Sequence, residues 1–313
     1  MPRAPPCRFR PKPAWDSRVA APLVSIIVPT RDRPTLLPRA VGSLLAQTEA
    51  DTEVIVVDNC SPGVAATSCL GLPGLRDPRV RVARAPLARN AGAARNAGLA
   101  VATGEWTTFL DDDDSYRPGK IARQLALARE SGSPLVLCGA CYHLRSRSRL
   151  VHCDVECWEG DALLNRAGLG TPFLFHRRQS GLRFAEELGA GEDLHYAHQL
   201  LARFDLRAVP VVPEPLVDVY QDEVALPRTN LRADASWRAA RRVWWEFGRR
   251  YSPSARRVFV LRAHITRAKL HGDLRTVLQL LPALLRAGGL AEWRFAANAV
   301  AVGSGWGRGR WVT

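Results

Sequence analysis

The stretch LVSIIVPTRDRP, Leu23 to Pro34, decides how the rest of the chain is read. Its first half is β-branched and apolar with one interruption, Ser25, and its second half is turn chemistry. A strand with one wet face would alternate. A continuous apolar run closed by turn residues is what a strand buried on both faces shows, as in a parallel sheet. The text that follows, TLLPRAVGSLLAQT (Thr35–Thr48), places Leu36, Leu37, Val41, Leu44 and Leu45 at helical spacing. TEVIVVDNCSPG (Thr52–Gly63) is a second strand with a turn behind it, and VRVARAP (Val80–Pro86) a short third. ARNAGAARNAGLAVATG (Ala88–Gly104) is an Ala-rich helix, and EWTTFL (Glu105–Leu110) a fourth strand. Strands alternating with helices at this spacing predict an α/β fold, an open and mostly parallel sheet with crossover helices.

In such sheets ligands bind beyond the carboxyl ends of the strands. Three strands here end in PTRDR, DNCS and DDDD, so the chemistry-bearing text falls on one edge. Asp111 to Asp114 are the densest part of it. An acidic run is ordinarily a solvated loop. Several carboxylates at one strand end also make a hard, oxygen-rich site, which takes Mg²⁺ or Mn²⁺ and through it a diphosphate. Neither G-x-x-x-x-G-K-[ST] nor a G-x-G-x-x-G after the first strand is present to bind phosphates by a glycine-rich loop. Asp58, at another strand end, is placed to accept a hydrogen bond from a base or ribose, or to serve as a turn aspartate.

Further along, RPGKIARQLALARESG (Arg117–Gly132) reads as a helix with Pro118 near its first turn. PLVLCGACYHL and RLVHCDVECW read as two strands joined by a basic turn, and TPFLFHRR as another strand. EELGAGEDLHYAHQLLARF (Glu186–Phe204) is a loop entering a helix, with Glu192 and Asp193 at its start, and AVPVVPEPLVDVY (Ala208–Tyr220) is a last extended segment. From about Asn230 the text becomes helical, Arg-rich and Trp-bearing. The expected organisation is a basic disordered arm over 1–22, an α/β domain over 23–229 and an amphipathic helical region over 230–313.

The chain of 313 residues carries a formal net charge of +14, distributed unevenly. Residues 230–313 hold 16 Arg and Lys against 4 Asp and Glu, and residues 1–20 hold 5 against 1, which leaves the body at −2. A near-neutral body with basic ends speaks against a nucleic-acid groove through the core. It favours an anionic membrane surface met by the tail, where Trp and Leu on one helix face and Arg on the other suit an interfacial helix. A helical cap packed on the core is the alternative. Nearly all the cations are Arg, with Lys at 12, 120 and 269, as a GC-rich genome would also produce. No export signal or spanning run is evident, so the expected location is the cytoplasm, with peripheral contact at the inner membrane face. Seven cysteines without such a signal are expected as free thiols. Cys138, Cys141, Cys153 and Cys157, with His143 and His152 nearby, also have spacings that can ligate zinc.

Taken in order, these motifs resemble family 2 inverting glycosyltransferases of the GT-A fold. VSIIVPTRDR resembles the family's opening strand, EVIVVDNCSPG its second strand end, RNAGAARNAGLAVATGEWTTFLDDDD its central segment and GEDLHYAHQLL its late acidic segment. The resemblance covers roughly Leu23 to Tyr220. It implies that Pro29, Thr30 and Arg31 line a nucleobase pocket, that Asp58 meets the base, and that Arg95 and Asn90 lie near the nucleotide. Asp111 and Asp112 would approach ribose and metal, and Asp113 would be the main ligand of Mn²⁺ or Mg²⁺, with Asp111 beside it. Asp114 fits better as an N-cap or first-turn acid of the next helix. Asp193 would be the general base for an acceptor hydroxyl, with Glu192 next to it. The reaction implied is one in-line displacement at the anomeric carbon of a nucleotide-sugar, with a glycan or glycolipid acceptor. Departures from the pattern are Asn59-Cys60 after Asp58, His198 and Gln199 where the family often has Arg, and Tyr220-Gln221 downstream of the sheet. A nucleotidyltransferase would share the acidic sheet edge, and a non-catalytic nucleotide-sugar or membrane-surface module would share the fold. The first calls for a Gly-rich triphosphate loop that PTRDRP does not supply, and the second has no need of Glu192-Asp193.

Overall fold

The computed structural model describes residues 23–47, 51–59, 72–85, 88–144, 147–165, 169–220 and 233–288. The expected arm over 1–22, the boundary near Asn230, Gln221, the end of the tail and Cys7, Cys60 and Cys69 lie outside them. The chain forms two compact units. The first gathers Met1–Cys157, Leu169–Glu186 and Val209–Glu223, and the second gathers Trp158–Gly168, Glu187–Ala208 and Val224–Thr313.

In the first unit β1 (Val24–Thr30) and β2 (Thr52–Asp58) are buried at every position, as their unbroken apolar text requires. β1 pairs in parallel with β2 and with β4 (Trp106–Phe109), and β2 in parallel with β3 (Val80–Arg84). β5 (Ser115–Tyr116), β6 (Leu135–Leu144), β7 (Arg147–Val151), β8 (Cys157–Glu159), β9 (Phe175–Arg177) and β10 (Ala208–Tyr220) complete the strands described. The order β3-β2-β1-β4-β9-β6-β10-β5 makes a mixed, mostly parallel open sheet, with β7 on β6. β9 runs antiparallel to both β4 and β6, which joins the parallel half to the mixed half. β10 carries register shifts around Pro215, where a proline cannot donate to the ladder.

Helices α1 (Leu37–Leu45), α2 (Ala91–Val101) and α3 (Lys120–Ser131) flank this sheet. α2 sits close: a Cβ on Gly98 would lie 2.5 Å from Ile27 Cγ2, so only glycine allows that approach to β1. At the amino ends of the strands, buried Glu53 accepts from Ser25 Oγ at 2.6 Å, from the Thr103 amide at 2.7 Å and from Arg81 at 3.0 Å. Burial works to raise its pKa, but these hydrogen bonds outweigh it and hold the carboxylate below its ordinary range.

Some expected elements are shorter. RLVHCDVECW is broken after Val151, where His152 takes φ 60°, and TPF of the expected strand is a 3-10 turn before β9. Pro118 precedes α3 rather than opening it, because Gly119 in the left-handed region is its N-cap.

The second unit contains α4 (Ala162–Asn165), α5 (Glu192–Arg203), α6 (Ala233–Phe247), α7 (Pro253–Leu270) and α8 (Leu274–Gly288). α5 packs on α6, α6 on α7 and α7 on α8. Val258, Ile265, Val277 and Leu284 form the buried seam of the last pair. Among the described residues no helix is long and apolar enough to cross a membrane.

Candidate active site

The carboxyl edge of the parallel strands holds one connected set of charges. After β4 the backbone turns, with the Asp114 amide donating to the Asp111 carbonyl at 3.1 Å. That turn sorts the four aspartates by direction. Asp112 points inward and is nearly buried. Thr30 Oγ1 at the end of β1 donates to its Oδ2 at 2.7 Å, and Arg33 Nη1 donates to its Oδ1 at 2.7 Å. Burial dominates its titration and, offset by Arg33 and Thr30, lifts its pKa to about 6. Asp114 is also buried and accepts from the Tyr220 amide at 3.1 Å, which ties the loop to the end of β10. The expected helix-capping role of Asp114 is therefore corrected. α3 starts six residues later with no acid in its first turn, and Asp114 caps a strand end instead.

Asp111 and Asp113 point outward, with side chains 37% and 17% exposed. Asp111 meets Arg95 Nη2 at 2.5 Å, and Asp113 meets Arg33 Nη1 at 3.1 Å. Carboxylate oxygens of Asp111, Asp113 and Asp114 lie within 4.8 Å of one another, a group that does not include Asp112. Arg95 is buried on α2 with its guanidinium over the face of the Phe184 ring. Arg39 of α1 donates to the Asp113 carbonyl and stacks its guanidinium 3.9 Å from the Tyr220 ring centroid.

Pro29 and Thr30 end β1, and Arg31 is exposed just beyond it. Asp58 ends β2, paired in register with Thr30, and its buried carboxylate lies 3.3 Å from Arg84 Nε. Asn90 caps α2, accepting from the Ala93 amide at 2.9 Å while its own amide donates to the Glu186 carbonyl. The structure thus gathers Pro29, Thr30, Arg31, Asp58, Arg95, Asp111, Asp112 and Asp113 on the first unit's sheet edge or beneath it. Arg33, Arg39 and Arg84 were not singled out from sequence, although the TRDR turn held the clue to Arg33, and Tyr220 was named only as a departure from the family pattern.

Glu192 and Asp193 belong to the second unit, in the first turn of α5. Gly191 before them has φ 74°, and a Cβ there would lie 2.7 Å from the Ala239 Cβ of α6, so glycine is required twice over. Both acids are part-exposed, and Asp193 Oδ1 accepts from the Leu194 amide at 2.8 Å. His198 and Gln199 lock the same helix in place. Gln199 meets His195 Nδ1 at 2.8 Å, Glu246 meets its Nε2 at 2.8 Å, and Tyr251 Oη meets His198 Nδ1 at 3.1 Å.

The four cysteines named for zinc do not converge. Cys138 and Cys141 are buried, Cys157 is exposed, and Cys141 lies instead beside His143 and Asp218. Asp218 there is clasped by Arg117 through Nε and Nη2 and accepts from His143 at 2.7 Å.

Comparison with known proteins agrees with this arrangement. Residues 25–181, half of the chain, match the model of Glycosyl transferase family 2. The succinoglycan biosynthesis protein ExoO of Rhizobium meliloti is 35% identical over 116 residues, 37% of this chain and 32% of that protein. The putative colanic acid biosynthesis glycosyl transferase WcaA of Escherichia coli is 36% identical over 105 residues, 34% of this chain and 37% of that protein. The alignments thus span about a third of each relative. The crystal structure of S. aureus TarS 1–349 with UDP-GlcNAc superposes with a TM-score of 0.62 at 17% identity, covering 90% of this chain and 88% of that one. That likeness establishes the GT-A fold, and with the match across half its length the chain belongs to glycosyl transferase family 2.

Proposed function

We propose that the chain is a metal-dependent, inverting sugar transferase that uses a UDP-sugar and glycosylates a hydroxyl of a glycan or glycolipid during cell-surface polysaccharide synthesis. The observation that carries this reading is the sorting of the acid run: Asp111 and Asp113 face out while Asp112 and Asp114 are tied inward. A solvated acidic loop has no reason to bury every second aspartate at the cost of desolvation. Support for the donor and pathway comes from relatives named for succinoglycan and colanic acid synthesis and from TarS crystallised with UDP-GlcNAc.

The carboxylate oxygens of Asp111, Asp113 and the buried Asp114, which sit within 4.8 Å of one another, fit a hard divalent ion. Asp113 and Asp111 would hold Mn²⁺ or Mg²⁺, which when bound supplies charge neutralisation at the departing diphosphate. The protein's own groups do the rest. Asp58 accepts from the base, in a pocket begun by Pro29 and Arg31. Thr30 and Asn90 have their side chains committed, so they position the backbone around the nucleotide. Arg95 fixes Asp111 from below. Asp193, at the start of its helix with Glu192 beside it, takes the proton from the acceptor hydroxyl as the sugar inverts. The work is done on the cytoplasmic side, where the basic region 230–313 meets an anionic membrane.

UDP release from a panel of UDP-sugars, incubated with cell-envelope glycolipids and Mn²⁺, tests this reading. Release that stops with EDTA and falls about 10²–10⁴-fold in Asp193→Asn supports it. Equal release in wild type and Asp193→Asn removes Asp193 as the base.

A further inference from the structure

α6 and α7 leave a cleft of about 750 Å³ in the second unit, walled by Trp237, Trp244 and Trp245 from one helix and by Phe259, Val260 and Ala263 from the other. Trp245 is 76% exposed, an uncommon state for the largest apolar side chain. Arg238 and Arg241 stand on the rim, exposed, on the same stripe of α6 as Trp245 at spacings of three and four. Arg242, which also lines the cleft, is used in pairs with Glu187 and Glu246, and Arg267 pairs with Asp234. Among the described residues Arg238 and Arg241 have no ion-pair partner.

We propose that this cleft takes an acyl chain of an anionic phospholipid, with the lipid phosphate held on Arg238 and Arg241. The inference deepens the proposed membrane contact of the tail and does not depend on the transfer chemistry. Two features select the occupant. Apart from Arg238, Arg241 and the paired Arg242, the wall is built of Trp rings, Phe, Val and Ala, so a peptide lying along it would leave most of its backbone donors and acceptors unpaired, whereas a hydrocarbon chain loses nothing. Guanidinium groups at the mouth match a phosphate, which they bind in a bidentate way. Trp at the opening is the side chain that membrane interfaces favour.

The test uses the full chain with vesicles of phosphatidylcholine alone, or with one part in three of phosphatidylglycerol. Sedimentation should show partition to the anionic vesicles. Trp245→Ala should weaken it about tenfold, and Arg238→Gln with Arg241→Gln about tenfold or more. Arg257→Gln with Arg275→Gln, the same charge change elsewhere in the unit, should leave it within about twofold. Acyl-brominated phosphatidylglycerol should quench tryptophan fluorescence in wild type, and less in Trp245→Ala. Circular dichroism melting confirms that each variant is folded, and UDP-induced stabilisation, which concerns the sheet edge, reports separately on donor binding. Equal losses from the two arginine pairs would mean diffuse electrostatics and overturn the site. Absence of quenching would do the same. So would wild type that self-associates through the cleft, with Trp245→Ala becoming monomeric while vesicle binding stays unchanged.

Discussion

Asp112 and Asp113 are neighbours with opposite tasks, and burial is what separates them. Asp112 is held by Thr30 and Arg33 from below, so that Asp113 and Asp111 can be presented without the loop collapsing onto the sheet. Thr30→Val deletes a hydrogen bond to a buried carboxylate and leaves its oxygen desolvated. It should cost about 1–3 kcal/mol of stability, read from urea midpoints, although Thr30 need not touch substrate through its side chain. The aspartate run was legible as a candidate site, because four acids at a strand end call for a partner. Which of the four face outward was not. That depends on Thr30 and Arg33, about eighty positions earlier in the chain, and on Tyr220, more than a hundred positions later. Asp114 shows the cost of local reasoning: its spacing suggested a helix cap, and its actual partner is the amide at the end of β10.

At the scale of elements, period and composition carried the parallel half of the sheet: β1 is buried on both faces and reads as such, and β2 and β4 read as the strands that follow it. The expected strand RLVHCDVECW failed where a left-handed residue interrupts it, at His152, whereas Ala208–Tyr220 is a single strand as expected, with register shifts around Pro215. The start of α5 is the element on which the proposed base depends. Gly191→Ala adds a strained φ and a Cβ in contact with α6, and should destabilise the second unit by about 2–3 kcal/mol. Gly189→Ala, also at positive φ but with open space around it, should cost only the backbone part, about 1 kcal/mol. Circular dichroism melts of the two variants measure the difference, and equal losses would mean that the Ala239 contact does not position the helix.

Taken as a whole, the molecule divides in a way the linear text did not display. α5 carries the late acidic motif next to the sheet in sequence, yet it packs with the helices that follow residue 233. Its inward face explains why: His195, Tyr196 and His198 are buried, and Glu246 and Tyr251, the partners of His195 and His198, come from the tail. Burial first, then the charges of His195 and Arg250, push the pKa of His198 down to about 3, so it is neutral in the folded state. A folded pKa below the ordinary value of about 6.5 means that the stabilising difference is complete above that value and is lost as pH falls toward 3. The second unit should therefore lose stability between pH 7 and pH 4, followed by tryptophan fluorescence in urea, and His198→Asn should flatten that dependence.

The central claim is that the outward aspartates hold a metal, and through it a nucleotide. Thermal shift with UDP-, GDP-, ADP- and dTDP-sugars, with and without Mn²⁺, on wild type and Asp113→Ala, tests it most directly. The account predicts stabilisation by UDP-sugars that requires Mn²⁺ and disappears in Asp113→Ala. Stabilisation that is the same without metal, or that survives in Asp113→Ala, would contradict it.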